Sequence, residues 1–191
     1  LETPRGKPCP LSGDYYSWGY VDSEYQWVDP FVHLAHMYYE DISSVVGPKF
    51  LINSPTFWRI THIEQRIQNQ DIYSQVFHQD SVYDQYNVQI FLLLEDVNAE
   101  NGPFEWISRS HHSVAFKSAF KRNKTSVPSY IPINRLVGLQ GRYLILSTGY
   151  TLHRDGIPAP GTERLMCSVG LFPGYTNIGR PILDFTAPVI T

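Results

Sequence analysis

Residues 86–97 read Tyr86-Asn87-Val88-Gln89-Ile90-Phe91-Leu92-Leu93-Leu94-Glu95-Asp96-Val97, without a glycine or proline. Aliphatic and aromatic residues dominate, the composition of a strand. Residues 98–103 carry turn chemistry, and 104–108 return as a second strand. The same β-branched and aromatic character recurs at 50–53, 56–67 and 72–77 before this stretch. After it come 142–147 and 165–172, separated by a Gly- and Pro-rich connection. One helix precedes the strands. Asp29 serves as its N-cap and Pro30 opens its first turn. Phe31, Leu34, Tyr38, Ile42 and Val45 recur at three- and four-residue steps, and Gly47 closes the element. The spacing predicts one amphipathic helix over 29–46, packed outside the strands, with 1–27 as an irregular arm. An early helix followed by short strands implies a mainly β protein, closed as a jelly roll or barrel.

The chain is 191 residues, 42% hydrophobic and 14% aromatic, which suits a single folded domain over 1–191 and argues against disorder. Thirteen Tyr, ten Phe and four Trp fit a β-rich core or an aromatic-lined cavity. A net charge of −3 argues against nucleic-acid binding. The longest apolar run, 90–94, is far below a membrane span, and no charged start leads into an apolar stretch, so neither membrane segment nor signal peptide is expected. Two cysteines, Cys9 and Cys167, make no disulfide framework and suit a reducing cytoplasm. Charge is unevenly placed: residues 8–48 hold six acids and no Lys or Arg, and 113–154 hold seven bases and no acid. Two solvated surfaces account for this. The functional alternative is a basic lid over 113–134 around Lys117, Lys121, Arg122 and Lys124, with Phe116 and Phe120 four apart, taking an anionic small molecule.

The chemistry concentrates elsewhere. Phe77-His78-Gln79-Asp80 ends a strand, and strand alternation turns His78 and Asp80 to one face. His153 lies 75 residues on, just after the strand at 142–147. Two imidazoles and one carboxylate can fill three corners of an octahedral metal and leave three open, the facial arrangement of non-haem iron(II) sites. Arg164 follows His153 by 11 residues at the start of the next strand. There its planar fork can hold one end of a dicarboxylate that chelates the metal with the other.

The resemblance rests on these residues and their neighbours. Phe77-His78-Gln79-Asp80 is followed by Leu94-Glu95-Asp96-Val97, running into Asn101-Gly102-Pro103-Phe104, and by Ser108-Arg109-Ser110-His111. Then come Gly141-Arg142-Tyr143-Leu144-Ile145-Leu146, His153-Arg154-Asp155-Gly156 and Arg164. In order and spacing, over about residues 75–172, the chain resembles the phytanoyl-CoA dioxygenase-like family of iron(II)/2-oxoglutarate oxygenases. Arg109 stands where that family usually has a glycine, a change expected to alter only a turn. The resemblance implies a cupin-like double-stranded β-helix over 48–175 with the metal inside. It implies iron(II) on His78, Asp80 and His153, 2-oxoglutarate on Arg164, and dioxygen as oxidant. The implied reaction hydroxylates an unactivated carbon of a small molecule and releases succinate and carbon dioxide. Related halogenases carry a small residue in place of Asp80, so the carboxylate implies hydroxylation rather than halogenation.

Other residues have plainer readings. Gln89 and Phe91 share a face of the 86–97 strand and can line the co-substrate pocket, though packing explains them equally well. His33 and His36 read as a solvated or packed helix face, His62 as core or pocket wall, and His111 and His112 as caps after a turn. Two other functions stay open: a different metal-dependent jelly-roll enzyme, hydrolase or isomerase, and a catalytically silent β-sandwich binding module.

Overall fold

The structure, a computed structural model, describes residues 16–20, 29–53, 55–62, 77–80, 87–111, 127–174 and 183–186. The candidate lid over 113–134 lies outside the described residues as far as 126, as do most of the strands expected at 72–77 and the second half of 56–67.

The elements in chain order are β1 (Tyr16–Tyr20), α1 (Asp29–Met37), α2 (Tyr39–Val46), β2 (Lys49–Ile52), β3 (Thr56–Thr61) and β4 (Val88–Leu93). Then follow β5 (Phe104–Ile107), β6 (Ile133–Arg135), β7 (Tyr143–Leu146), β8 (His153–Asp155), β9 (Glu163–Pro173) and β10 (Leu183–Thr186). Every pairing is antiparallel. The chain is mainly β, with few helices.

The long strand β9 organises the larger sheet. One of its edges takes β4, which in turn pairs with β7; the other takes β3 along its first half and β2 along its second. The outer edges of β3 and β2 are then covered by β1 and β10. The smaller sheet runs β6-β5-β8. Two expectations change here. The arm over 1–27 contributes β1, and the sheet extends past residue 175 through β10. Both strands satisfy backbone groups that β3 and β2 would otherwise present along an open edge.

Side-chain alternation separates the two faces of the larger sheet. Val88, Ile90, Cys167, Val169 and Leu171 turn toward the helices and pack with Phe31, Leu34, Ala35, Ile42 and Val46. The helix expected over 29–46 is divided at Tyr38, where the backbone leaves helical geometry at φ −110, ψ 26. Tyr38 N still donates to Leu34 O and Ile42 N to Tyr38 O, both at 3.0 Å, so the division is a local bend. The opposite face carries Phe91, Leu93 and Met166, which pack with Phe104 of the smaller sheet and with Val97 and Leu136. Trp58 of β3 lies against this cluster, and its indole N–H donates to Ser168 Oγ at 2.8 Å.

The segments before β5 and after β8 lie close together at one end of the smaller sheet. Gly102, at φ 64, lies so near the chain opposite that a Cβ there would stand 2.4 Å from Pro158 N. Gly156 N donates to Pro103 O at 3.1 Å and Ala159 N to Glu100 O at 2.7 Å. Glycine is therefore required at 102 both by its left-handed backbone and by space. Among the described residues no helix is long and apolar enough to cross a membrane.

Candidate metal centre

The strand β8 belongs to the smaller sheet through β5, with Trp106 opposite His153. Its other edge receives the segment 77–80. His78 N donates to His153 O at 3.0 Å and His153 N to His78 O at 2.9 Å, an isolated antiparallel bridge. Two residues on, Asp80 N donates to Thr148 O at 3.1 Å. Directly paired residues share a face, and the period of two returns Asp80 to it.

The three side chains converge. Asp80 Oδ1 lies 3.8 Å from His78 Nε2 and 3.6 Å from His153 Nε2. The imidazole centroids are 4.4 Å apart, and the three ligand atoms all lie within 4.8 Å of one another. His153 Nδ1 is 2.9 Å from Thr151 O. A carbonyl only accepts, so Nδ1 carries a proton and Nε2 is the ring nitrogen that faces the centre, free to bind a metal when the ring is neutral. Asp80 is similarly oriented: its Oδ2 accepts from Gln89 Nε2 at 3.2 Å while Oδ1 faces the imidazoles. Burial works to raise the Asp80 pKa. Hydrogen bonding to His153, that ring's charge, the Thr148 hydroxyl and the charge of His78 outweigh burial and hold the carboxyl below its ordinary value.

Asn87, just ahead of β4, secures this arrangement from below. Its buried Oδ1 accepts from Thr148 Oγ1 at 2.9 Å and from Gly149 N at 3.2 Å, and its backbone oxygen accepts from Ser147 Oγ at 3.1 Å. The carbonyl that holds Asp80 belongs to the same Thr148. One side of the centre is aromatic. Phe104 stacks on His153 with ring centroids 5.5 Å apart, and Phe91 lies 4.5 Å from Phe104.

Arg164 is fully buried on β9, on the face shared with Met166 and Ser168. Its Nη1 donates to Gly102 O and its Nη2 to an Asp155 carboxylate oxygen. Its Nε has no partner among the described residues. Asp155 stands two positions after His153, so both turn to one face of β8, about 7 Å apart along the strand.

The structure thus brings His78, Asp80, His153 and Gln89 together and puts Phe91 one ring removed from His153. Arg164 is reached through Asp155. The remaining histidines stand elsewhere. His33 and His36 are exposed on α1, His62 Nδ1 lies 2.8 Å from Pro158 O, and His111 sits in a short 3-10 turn beside Ser110. His112 lies outside the described residues. Asn87 and Thr148 were not singled out in the sequence, and Phe104 and Asp155 stood only within the stretches that carry the resemblance, with no role of their own. Asp155 carried a signal nonetheless, a carboxylate in phase with His153.

No family model matches the chain, and no curated protein matches it in sequence. Solved structures do resemble it. HygX from Streptomyces hygroscopicus, with nickel and 2-oxoglutarate bound, is 17% identical with a TM-score of 0.54, over 96% of this chain and 84% of its own. SnoN, a non-haem α-ketoglutarate-dependent epimerase from nogalamycin biosynthesis, is 14% identical with a TM-score of 0.52, over 96% of this chain and 78% of its own. EvdMO1 is 12% identical with a TM-score of 0.51, over 84% of this chain and 36% of its own. At these identities the likeness is one of fold: this chain is built like non-haem iron and 2-oxoglutarate enzymes.

Proposed function

We propose that the chain is a single-domain iron(II)- and 2-oxoglutarate-dependent oxygenase acting on a small molecule, and that its two facing sheets form a double-stranded β-helix. The observation that carries this reading is the convergence of His78 Nε2, Asp80 Oδ1 and His153 Nε2 within 4.8 Å. Two imidazoles and a carboxylate, with His153 and Asp80 each oriented by a neighbour, are a donor set that iron(II) takes. His78, Asp80 and His153 would hold the metal and leave its remaining positions open. The buried Nε of Arg164, unpartnered among the described residues, can donate one more hydrogen bond beside the pair with Asp155, and through it this side chain would hold the distal carboxylate of 2-oxoglutarate.

When bound, iron(II), 2-oxoglutarate and dioxygen together supply an oxidation in which the 2-oxo acid is decarboxylated to succinate while a substrate C–H bond is hydroxylated. The protein's own residues prepare that chemistry. The Thr151 carbonyl fixes the His153 tautomer, Gln89 keeps Oδ2 of Asp80 turned away from the imidazoles, and Phe91 and Phe104 keep one wall apolar and exclude water. Asp80 would supply a carboxylate to the metal, which supports hydroxylation over halogenation. HygX has been solved with hygromycin B, and SnoN with Fe3+, α-ketoglutarate and a nogalamycin compound. Both support a small-molecule substrate for this chain.

A second reading, inversion at a carbon centre, has SnoN behind it, an epimerase that superposes over 96% of this chain. One screen separates the two. Incubation with iron(II), 2-oxoglutarate, dioxygen and a library of small molecules should yield succinate together with a product heavier by one oxygen. A product of unchanged mass and altered configuration would establish the second reading. Succinate no greater than that of Asp80→Ala with every compound would overturn both.

A further inference from the structure

Arg164 already has an anion. A fully buried guanidinium needs a counter-charge, and Asp155 provides one: Nη2 donates to its carboxylate, whose side chain is only 12% exposed, while Nη1 is taken by Gly102 O. The positions follow from the topology. The strand β8 turns Asp155 to the His153 side, about 7 Å further along, and β9 brings Arg164 to meet it. A 2-oxo acid that extends from the metal toward Arg164 therefore arrives where a carboxylate of the protein already stands.

We propose that Asp155 is a specificity-determining residue for the 2-oxo acid: as the resident counter-ion of Arg164, it reduces the advantage of a second, distal carboxylate on the co-substrate. The inference rests on the proposed roles of Arg164 and the metal triad. Its physical basis is charge balance in a place largely closed to water. The first carboxylate on a buried guanidinium neutralises it. A second must share the cation and face the first across a short distance with little screening. The unpartnered Nε can still offer the newcomer a hydrogen bond, so a dicarboxylate is accommodated. The gain over a 2-oxo acid with a methyl group at the same end is small. Replacing Asp155 with Asn keeps the shape and a hydrogen-bonding oxygen but returns the full positive charge of Arg164 to the co-substrate.

Calorimetric titration of nickel(II)-loaded protein, which binds without turning over, tests this with 2-oxoglutarate and 2-oxopentanoate, equal in chain length and differing only in the distal group. The wild-type protein is expected to prefer 2-oxoglutarate by about tenfold or less, and Asp155→Asn by about a hundredfold or more. Asp155→Ala should behave like Asp155→Asn and return toward the wild-type ratio in acetate, which can fill the vacated place. A wild-type preference of a hundredfold that Asp155→Asn leaves unchanged overturns the proposal. The wild-type ratio decides by itself if neither variant folds, since a steep preference there excludes a neutralising Asp155. Binding of neither acid to wild-type protein that has taken up nickel would instead remove the co-substrate role of Arg164, and this inference with it.

Discussion

Asn87 shows how much a single side chain can carry without touching a ligand atom. Its Oδ1 accepts from Thr148 and Gly149, and Thr148 O in turn fixes the backbone of Asp80. Asn87→Ala leaves the Thr148 hydroxyl and the Gly149 amide without their acceptor, at roughly 1 to 3 kcal/mol for each unsatisfied group. The turn that aims Asp80 loosens. Iron(II) affinity should fall about 10- to 100-fold, as when outer supports of a metal ligand are removed. Calorimetric titration with iron(II) under anaerobic conditions measures it. An unchanged affinity would show that Thr148 holds its place without Asn87. At this scale legibility in the sequence divides by chemistry. His78, Asp80 and His153 could be marked because few residue types bind metal and strand alternation sets their facing. Asn87 could not, because an Asn inside a strand announces nothing until its partners, 61 and 62 positions away, are seen. The bond from Trp58 to Ser168 crosses 110 positions and was hidden for the same reason.

Among the elements, β9 has the most neighbours, pairing with β2, β3 and β4. Its buried Cys167 reports on that enclosure. Burial pushes the thiol up from 9.0 to about 12, although a backbone hydrogen bond at Ser168 works the other way. Between those values the unfolded chain releases the proton and the folded chain keeps it. The contribution is thus complete below pH 9 and is lost as the pH rises toward 12. The slope is roughly 1.4 kcal/mol per pH unit within that window. Urea unfolding at pH 8 and pH 10 should therefore show wild-type protein losing about 1 kcal/mol more stability than Cys167→Ala over the interval. Equal losses would mean that β9 opens readily enough for the thiol to meet water. Strand composition was plain for β4 and β7, whose runs are rich in Ile, Leu and Val, and for the mostly apolar stretch of β9 from Leu165 to Phe172. The strand β1, Tyr-Ser-Trp-Gly-Tyr, does alternate aromatic and small residues, but it is short, carries a glycine and lies in an arm rich in aromatics throughout. Its pairing with β3 answers a need of the sheet edge, which no local pattern encodes. The bend at Tyr38 escaped for a related reason, since the three- and four-residue spacing of apolar positions continues through it.

At the scale of the whole molecule, the described residues form two antiparallel sheets that face each other, the helices cover the back of the larger one, and β8 and the segment 77–80 bring the candidate ligands together in the smaller. Closure at Gly102 and Gly156 holds the end of β8 where Asp155 and Arg164 meet. The central claim is that this architecture serves a single iron(II) and a 2-oxo acid. The most direct test is an anaerobic titration of the protein with iron(II), followed by addition of 2-oxoglutarate with the visible spectrum recorded throughout. The account predicts one equivalent bound by wild-type protein and a visible charge-transfer band once 2-oxoglutarate is present, with both lost in Asp80→Ala and in His78→Ala. Tight binding of one iron(II) that survives both substitutions, or wild-type protein that binds iron(II) and shows no band with 2-oxoglutarate, would contradict it.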